Sequence, residues 1–396
     1  VTRGSDATEP TGPTAPSAPT VLLTGGGTGG HVNPALAVAE ALRDRGVRVV
    51  FVGTAAGLEA RLVPAAGFAL RTVPARPLRG QGAAARAGAA TDVVRAAGQV
   101  ARLARAEHAR AALTFGGYTA GPLAAGARLS RTPLVVHEQN AVPGLANRLA
   151  ARWATAVAVS MPGIAERFPR PSRVVLTGNP IRGDLTEGRL PDRTPAAVRL
   201  GLDPRRRTLL VFGGSQGARR LNDAVLAATD SWPDPAGLQV LHAAGERDAD
   251  RVEAAWRSRD RRGLHVVTHR YLASMADAYA AADVVVCRAG ASTVAELTAV
   301  GLPAVLVPYP HAAADEQTAN ARAIAEAGGA VHVADDALDG QRLVAEVAPL
   351  LADPQRRAAM RAAARELGRP DAAAAVAELV LAAGGLADQH AAEVSP

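Results

Sequence analysis

The sequence predicts an α/β protein made of two tandem Rossmann-like domains that face each other across a cleft. Three observations carry this. Short apolar runs alternate with alanine-rich helical stretches, the pattern of a parallel sheet with helices on both faces. Two glycine-rich loops, GGGTGG at 25–30 and GGSQG at 213–217, each follow such a run and open a helix. The length, 396 residues, suits two domains with separate cores.

Residues 1–20 are rich in Pro, Thr, Ser and Ala, lack the apolar stretch of a signal peptide, and read as a disordered tail, with Val1 as an alternative start. The first domain is expected over 21–180. Its strands read at 21–24, 47–52, 111–115, 134–137, 156–160 and 174–177, and its first helix at 35–43. The polar, Pro- and Gly-bearing segment 181–207 reads as a linker. The second domain is expected over 208–365, with strands at 208–212, 238–243, 265–268, 284–287 and 304–307. A last helix within 366–385 is placed to cross back to the first domain, and 386–396 reads as a flexible tail.

Composition narrows the function classes. Every basic side chain other than histidine is arginine, 44 of them, and the formal net charge is +7. No nucleic-acid motif accompanies that charge, so no nucleic-acid partner is expected. The single cysteine, Cys287, excludes a disulfide framework within the chain and fits a reducing compartment. The longest uncharged runs, near 111–127 and 297–314, are broken by Gly and Pro and read as strands and turns, not membrane spans.

The loops suggest anion binding, because glycine lets the backbone approach closely and a helix start presents N–H groups. A dinucleotide is disfavoured: the second strand ends Phe51-Val52-Gly53-Thr54, with no acid for the ribose, and Asp44 comes before that strand. The P-loop pattern also fails, lacking its GK[ST]. His31 closes the first loop at a helix N-terminus, where the dipole favours the neutral imidazole a base requires. HEQN at 137–140 follows a strand. There Glu138 is a second candidate base and Asn140 can both donate to and accept from a sugar. In 287–321, Ser292 and Thr293 are placed to cap a helix whose start faces a phosphate, and Glu296 is placed for ribose hydroxyls. Asp315, Glu316, Gln317 and Asn320 follow at helical spacing, suited to a sugar. Asp248-Ala-Asp250 matches a metal-binding DxD pattern but reads as a solvated helix start, so no metal or other cofactor is expected.

The stretches GGGTGGHVNPALAVAEAL, FGGYTAGP, HEQNAVPGLANR, TGNPIR, GGSQGARRLN, the run from YLASMADAYA to AVLVPYP, and DEQTANA resemble the MurG family. These transferases add N-acetylglucosamine to undecaprenyl-pyrophosphoryl-N-acetylmuramyl pentapeptide. The resemblance spans about residues 21–330 and implies the two-domain GT-B architecture. It implies that Thr28, Gly29 and Gly30 lie at the cleft near donor and acceptor, and that Asn140 and Gln317 contact the transferred sugar. It implies that Arg182 and Ser215 meet the nucleotide or its phosphates and that the Leu272 backbone meets the uracil. The run Ala291, Ser292, Thr293, Val294, Ala295 and Glu296 would hold phosphate and ribose. Cys287 and Glu316 depart from residues common in the family; the first sits on a strand, the second beside the sugar contacts.

The implied reaction is inverting: the muramyl 4-hydroxyl attacks the anomeric carbon of UDP-N-acetylglucosamine and UDP leaves, with His31 as base and Glu138 as its rival. The lipid acceptor implies a peripheral protein at the cytoplasmic face of the cell membrane, with other cell-wall synthesis proteins as partners. Arg76, Arg79, Arg86, Arg95, Arg102, Arg105 and Arg110, interleaved with Leu78, Val93, Val94, Val100 and Leu103, suggest an anionic membrane surface as partner. The alternatives are a GT-B transferase with a small-molecule acceptor, a UDP-N-acetylglucosamine epimerase, and a catalytically idle binding protein.

Overall fold

The computed structural model describes residues 18–75, 83–186, 188–214 and 216–387, with the backbone only for 83–90 and 313. The expected tail at 1–17, the end from 388 onward and Ser215 lie outside the described residues. The first sheet holds β1 (Thr20–Thr24), β2 (Arg48–Gly53), β3 (Ala69–Thr72), β4 (Ala111–Thr114), β5 (Leu134–Glu138), β6 (Ala156–Val159) and β7 (Val174–Leu176). The second holds β8 (Arg207–Phe212), β9 (Leu238–Ala243), β10 (His265–His269), β11 (Val284–Cys287), β12 (Ala304–Leu306) and β13 (Val331–His332).

All pairings are parallel, in the orders β3-β2-β1-β4-β5-β6-β7 and β10-β9-β8-β11-β12-β13. The two orders are the same device used twice. In each, the first strand of the domain sits centrally and the chain reverses direction of travel across the sheet beside it. That reversal opens a crevice at the carboxyl ends of β1 and β4, and another at those of β8 and β11. Both glycine loops lie in these crevices.

Helices α1 (Gly29–Arg43), α2 (Glu59–Ala65), α3 (Ala83–Ala106), α4 (Ala120–Ser130) and α5 (Leu145–Ala150) belong to the first domain. Then come α6 (Arg193–Arg199), α7 (Arg219–Ala227), α8 (Ala249–Ser258), α9 (Met275–Ala281), α10 (Ala291–Val300), α11 (Glu316–Glu326), α12 (Gly340–Ala352), α13 (Pro354–Leu367) and α14 (Ala372–Ala383). Strand alternation sorts the cores. Val21 and Leu23 pack with Val38 and Leu42 of α1 and Val376 and Val380 of α14, whereas Leu22 packs with Val100 and Leu123 on the other face.

Three expectations are corrected here. The first helix begins at Gly29, not at residue 35, so the end of the glycine loop is itself the first helical turn. The segment 181–207 is not all linker: α6 forms within it and packs on α9 of the second domain. Val100 is fully buried among the core helices and cannot join a surface patch. The last helix, α14, lies against α1, β4 and β5 of the first domain. Where the chain passes back, a Cβ on Gly178 (φ +83°) would stand 2.3 Å from Arg369 Cβ, so the two passages between domains touch.

Candidate active site

The two loops are built alike at the backbone. A Cβ on Gly117 (φ +78°) would fall 2.3 Å from the Gly26 carbonyl oxygen, and one on Gly217 (φ +81°) 2.3 Å from that of Ala244. In each domain, glycine therefore lets one loop nest against the loop that ends a neighbouring strand.

In the first loop, Thr28 is the N-cap residue of α1, with exposed β-region backbone, and Gly29, Gly30 and His31 form the first turn. His31 Nδ1 lies 3.0 Å from Thr28 Oγ1, and its ring packs over Gly116, with Cδ2 3.5 Å from the place of a Gly116 Cβ. Burial holds the imidazole below its ordinary pKa. The neutral form is thus favoured by desolvation, with the helix start acting in the same direction. If Nδ1–H donates to Thr28 Oγ1, Nε2 carries the lone pair a base needs.

Glu138, the alternative base, is differently placed. It is buried at the end of β5, and its carboxylate accepts from Asn140 N–H (3.0 Å), Gly144 N–H (2.9 Å) and Asn147 Nδ2 (2.9 Å). Burial pushes its pKa up and these donors pull it back down, with a net rise. Three of its roughly four acceptor positions are taken up in shaping the 138–147 loop, which leaves it less free than His31 to accept a proton from a substrate. Asn147, which the sequence reading passed over, ties Glu138 to the His137 carbonyl (3.1 Å) and borders the same Gly116 position as His31.

Across the cleft, Asn320 is fully buried and joins the domains. Its Oδ1 accepts from Ala141 N–H (2.9 Å), and its Nδ2 donates to Asn140 Oδ1 and to the Ala289 carbonyl, both at 3.2 Å. Asn320 is therefore a bridge and not a free sugar ligand. Gln317 Oε1 accepts from Tyr309 N–H at 2.9 Å.

Helix α10 carries the densest group. Gly290 is its N-cap, so Ser292 and Thr293 do not cap it: they lie inside the first turn, because the chain is already helical from Ala291. Ser292 Oγ is buried without a hydrogen-bond partner, as is Nη2 of Arg182, whose Nε stands 3.5 Å from Asp184 Oδ1. A buried guanidinium nitrogen left in this state is a seat for an anion. Glu296 Oε2 accepts from the buried Tyr279 hydroxyl at 2.7 Å. Burial raises the Glu296 pKa, while Tyr279 and Arg182 oppose the rise. Leu272 is buried beside the exposed Tyr271, in the turn between β10 and α9.

Below the second loop, Trp256 Nε1 donates to His242 Nδ1 (3.1 Å), which fixes His242 Nε2 as the donor to Asn222 Oδ1 (2.9 Å). Asn222 Nδ2 then donates to the Ala244 carbonyl (3.0 Å) and to Asp248 (2.7 Å). Asp248 and Asp250 are further held by Arg251 and Arg270. Among the described residues, no three His, Cys, Asp or Glu side chains converge as a metal site, and no helix is long and apolar enough to cross a membrane. Of the arginine-rich segment, Arg76 and Arg79 lie outside the described residues, as does the side chain of Arg86. Arg95 and Arg102 are exposed, Arg105 donates to the Leu129 carbonyl, and Arg110 to that of Gly384.

Residues 21–159 match the glycosyltransferase family 28 N-terminal domain, and residues 208–376 the glycosyltransferase family 28 C-terminal domain. A relative from Alkalilimnicola ehrlichii is 48% identical over 91% of this chain and 98% of its own. One from Frankia casuarinae is 46% identical over 91% and 95%. Both are named UDP-N-acetylglucosamine–N-acetylmuramyl-(pentapeptide) pyrophosphoryl-undecaprenol N-acetylglucosamine transferase. The crystal structure of Acinetobacter baumannii MurG is similar, with TM-score 0.74 and 30% identity over 92% of this chain and 99% of that one. A putative UDP-N-acetylglucosamine 2-epimerase from Listeria monocytogenes shares the fold alone, with TM-score 0.65 and 13% identity over 93% of this chain and 96% of that one.

Proposed function

The chain belongs to the MurG family of glycosyltransferase family 28, and on that premise we propose how its cleft works. The protein is an inverting glycosyltransferase. It moves N-acetylglucosamine from UDP-N-acetylglucosamine to the 4-hydroxyl of the lipid-linked muramyl pentapeptide in peptidoglycan synthesis. The observation that carries the division of labour is the contrast across the cleft. On one side stands an uncharged imidazole at the first loop; on the other, Ser292 of α10 and Arg182 of the connecting segment offer buried donors without partners.

In our reading the donor binds the second domain. The first turn of α10, from Ala291 to Val294, faces the diphosphate, with Ser292 Oγ and the Arg182 guanidinium supplying donors. Glu296, oriented by Tyr279, takes the ribose hydroxyls, and Ser215 and the Leu272 backbone complete the nucleotide site. Asn140 and Gln317 stand on opposite sides of the sugar. The acceptor enters over Thr28, Gly29 and Gly30. His31 Nε2 removes the proton from the 4-hydroxyl as its oxygen attacks the anomeric carbon from the face opposite the diphosphate, and the C1–O bond to UDP breaks. Charge developing on the departing diphosphate is met by fixed donors that need no reorganisation.

The protein is proposed to work at the cytoplasmic face of the membrane. Support for contact with a membrane surface comes from Leu129, Leu145, Leu149 and Trp153 of the α4–α5 region, all exposed, with arginines 128, 131, 148 and 152 interleaved. The deciding experiment is transfer from UDP-N-acetylglucosamine to the lipid-linked muramyl acceptor. Disaccharide product and UDP should appear only when both substrates are present. Turnover of UDP-N-acetylglucosamine without acceptor would instead favour an epimerase.

A further inference from the structure

The first glycine loop already contains an anion. Glu59, at the start of α2, is 2% exposed, and its carboxylate lies against the loop. Oε2 accepts from Gly27 N–H at 3.1 Å. Oε1 accepts from Thr54 N–H (3.0 Å), Thr54 Oγ1 (2.9 Å) and the Tyr118 hydroxyl (3.2 Å). The backbone has been cleared to admit it. A Cβ on Gly57 would lie 2.1 Å from Glu59 Oε2, one on Gly53 2.6 Å from Glu59 Cγ, and one on Gly26 3.0 Å from Oε1. One carboxylate therefore ties together the ends of β1, β2 and β4, which are 32 and 59 residues away from it at Gly27 and Tyr118.

We infer that Glu59 is a positioning residue for the transfer: it occupies the anion seat of the first loop, sets Thr28 and His31 through Gly27, and holds the Tyr118 hydroxyl at the cleft rim. The electrostatic consequence is specific. Burial alone would push this carboxyl up, but the amides of Glu59 itself, Gly27 and Thr54 and the Thr54 hydroxyl outweigh it, so the group stays ionised. An ionised carboxylate at Gly27 takes the amide that a phosphate would otherwise use and repels a second diphosphate from this loop. The donor is left to the second domain, and the rim of the first is kept for a hydroxyl-bearing sugar. The ring of Tyr118 supports this placement, since its Cε1 stands 3.0 Å from the position of a Gly27 Cβ.

This inference rests on the transfer reading above, so the test separates the two. Full-length wild type and Glu59→Gln are compared by steady-state kinetics with both substrates varied, and UDP binding is measured by calorimetry. Glutamine keeps the shape but loses the charge and presents a donor to one of the two amides, which each need an acceptor. The expected result is a fall of roughly 10- to 100-fold in kcat/KM for the lipid-linked acceptor, with UDP affinity and donor KM within twofold of wild type. Tyr118→Phe removes one of the four hydrogen bonds and should lower the same parameter by roughly three- to tenfold. If Glu59→Gln does not fold, Tyr118→Phe decides alone. Unchanged acceptor kinetics in the variant that decides would overturn the inference, and so would an equal loss of UDP binding, which marks general loosening. A wild-type protein that binds UDP but never transfers would sink the transfer reading itself.

Discussion

The two glycine loops share a backbone plan and differ in what braces them. Under the first lies a charged carboxylate, Glu59, bonded directly to the Gly27 amide. Under the second lies a relay of side chains, Trp256 to His242 to Asn222, which reaches the loop indirectly through the Ala244 carbonyl against which Gly217 nests, and its carboxylate, Asp248, is one step removed and paired with Arg251. A loop with its own anion is ill suited to a second one, whereas a loop braced from below keeps its upper surface for a ligand. Duplicated architecture has thus been braced in two ways, and the difference supports the proposal that acceptor and donor take opposite sides.

The strongest way to break this comparison is His31→Ala. Loss of a general base should lower kcat by roughly 10²–10⁴-fold while UDP binding is unchanged, as read by single-turnover transfer and calorimetry. A variant within threefold of wild type would move the base elsewhere. The retained imidazole should also titrate below its ordinary value, so the acid limb of kcat/KM should lie below pH 6.5.

Acid tests the two domains together. His137 in the first and His242 in the second are buried, and burial lowers both to about 4. Their unfolded value is 6.5, so the unfolded chain takes up the protons first. Stability is complete above that value and is lost as pH falls from 6.5 towards 4, by about 3 kcal/mol for each histidine. Thermal melts across this window should show the loss, and His242→Phe should remove only the second domain's share.

The smallest effect sharpens the donor side. Arg182→Ala should weaken UDP affinity by roughly 10- to 100-fold, the scale of one or two charge-assisted hydrogen bonds, and leave acceptor KM in place. Equal weakening of both substrates would argue that Arg182 instead holds the domains together.

Much of this was legible in the residues. The loops, their strands and the polar stretch after Cys287 stand out because glycine clusters and apolar runs are local signals. The strands that went unread are those with the weakest local signal. β3 reads ALRT and is mostly exposed, and β13 is two residues long. Glu59 was invisible for a different reason. GLEARL looks like any amphipathic helix start, and nothing in it announces partners at Gly27 and Tyr118 across the sheet. Ser292 and Thr293 looked like caps because hydroxyls near a helix start usually are; Gly290 already fills that place. Glu138 showed its chemistry but not its company, since three donors folded around it only in space.

The return of α14 to the first domain has a mechanical consequence. A single covalent connection would let the halves twist, slide and part in many directions. Here the chain crosses twice, and the crossings press together at Gly178 and Arg369. Two adjacent tethers restrict how the halves can move relative to each other, and the hydrogen bond from Asn320 to Asn140 is a third tie between them.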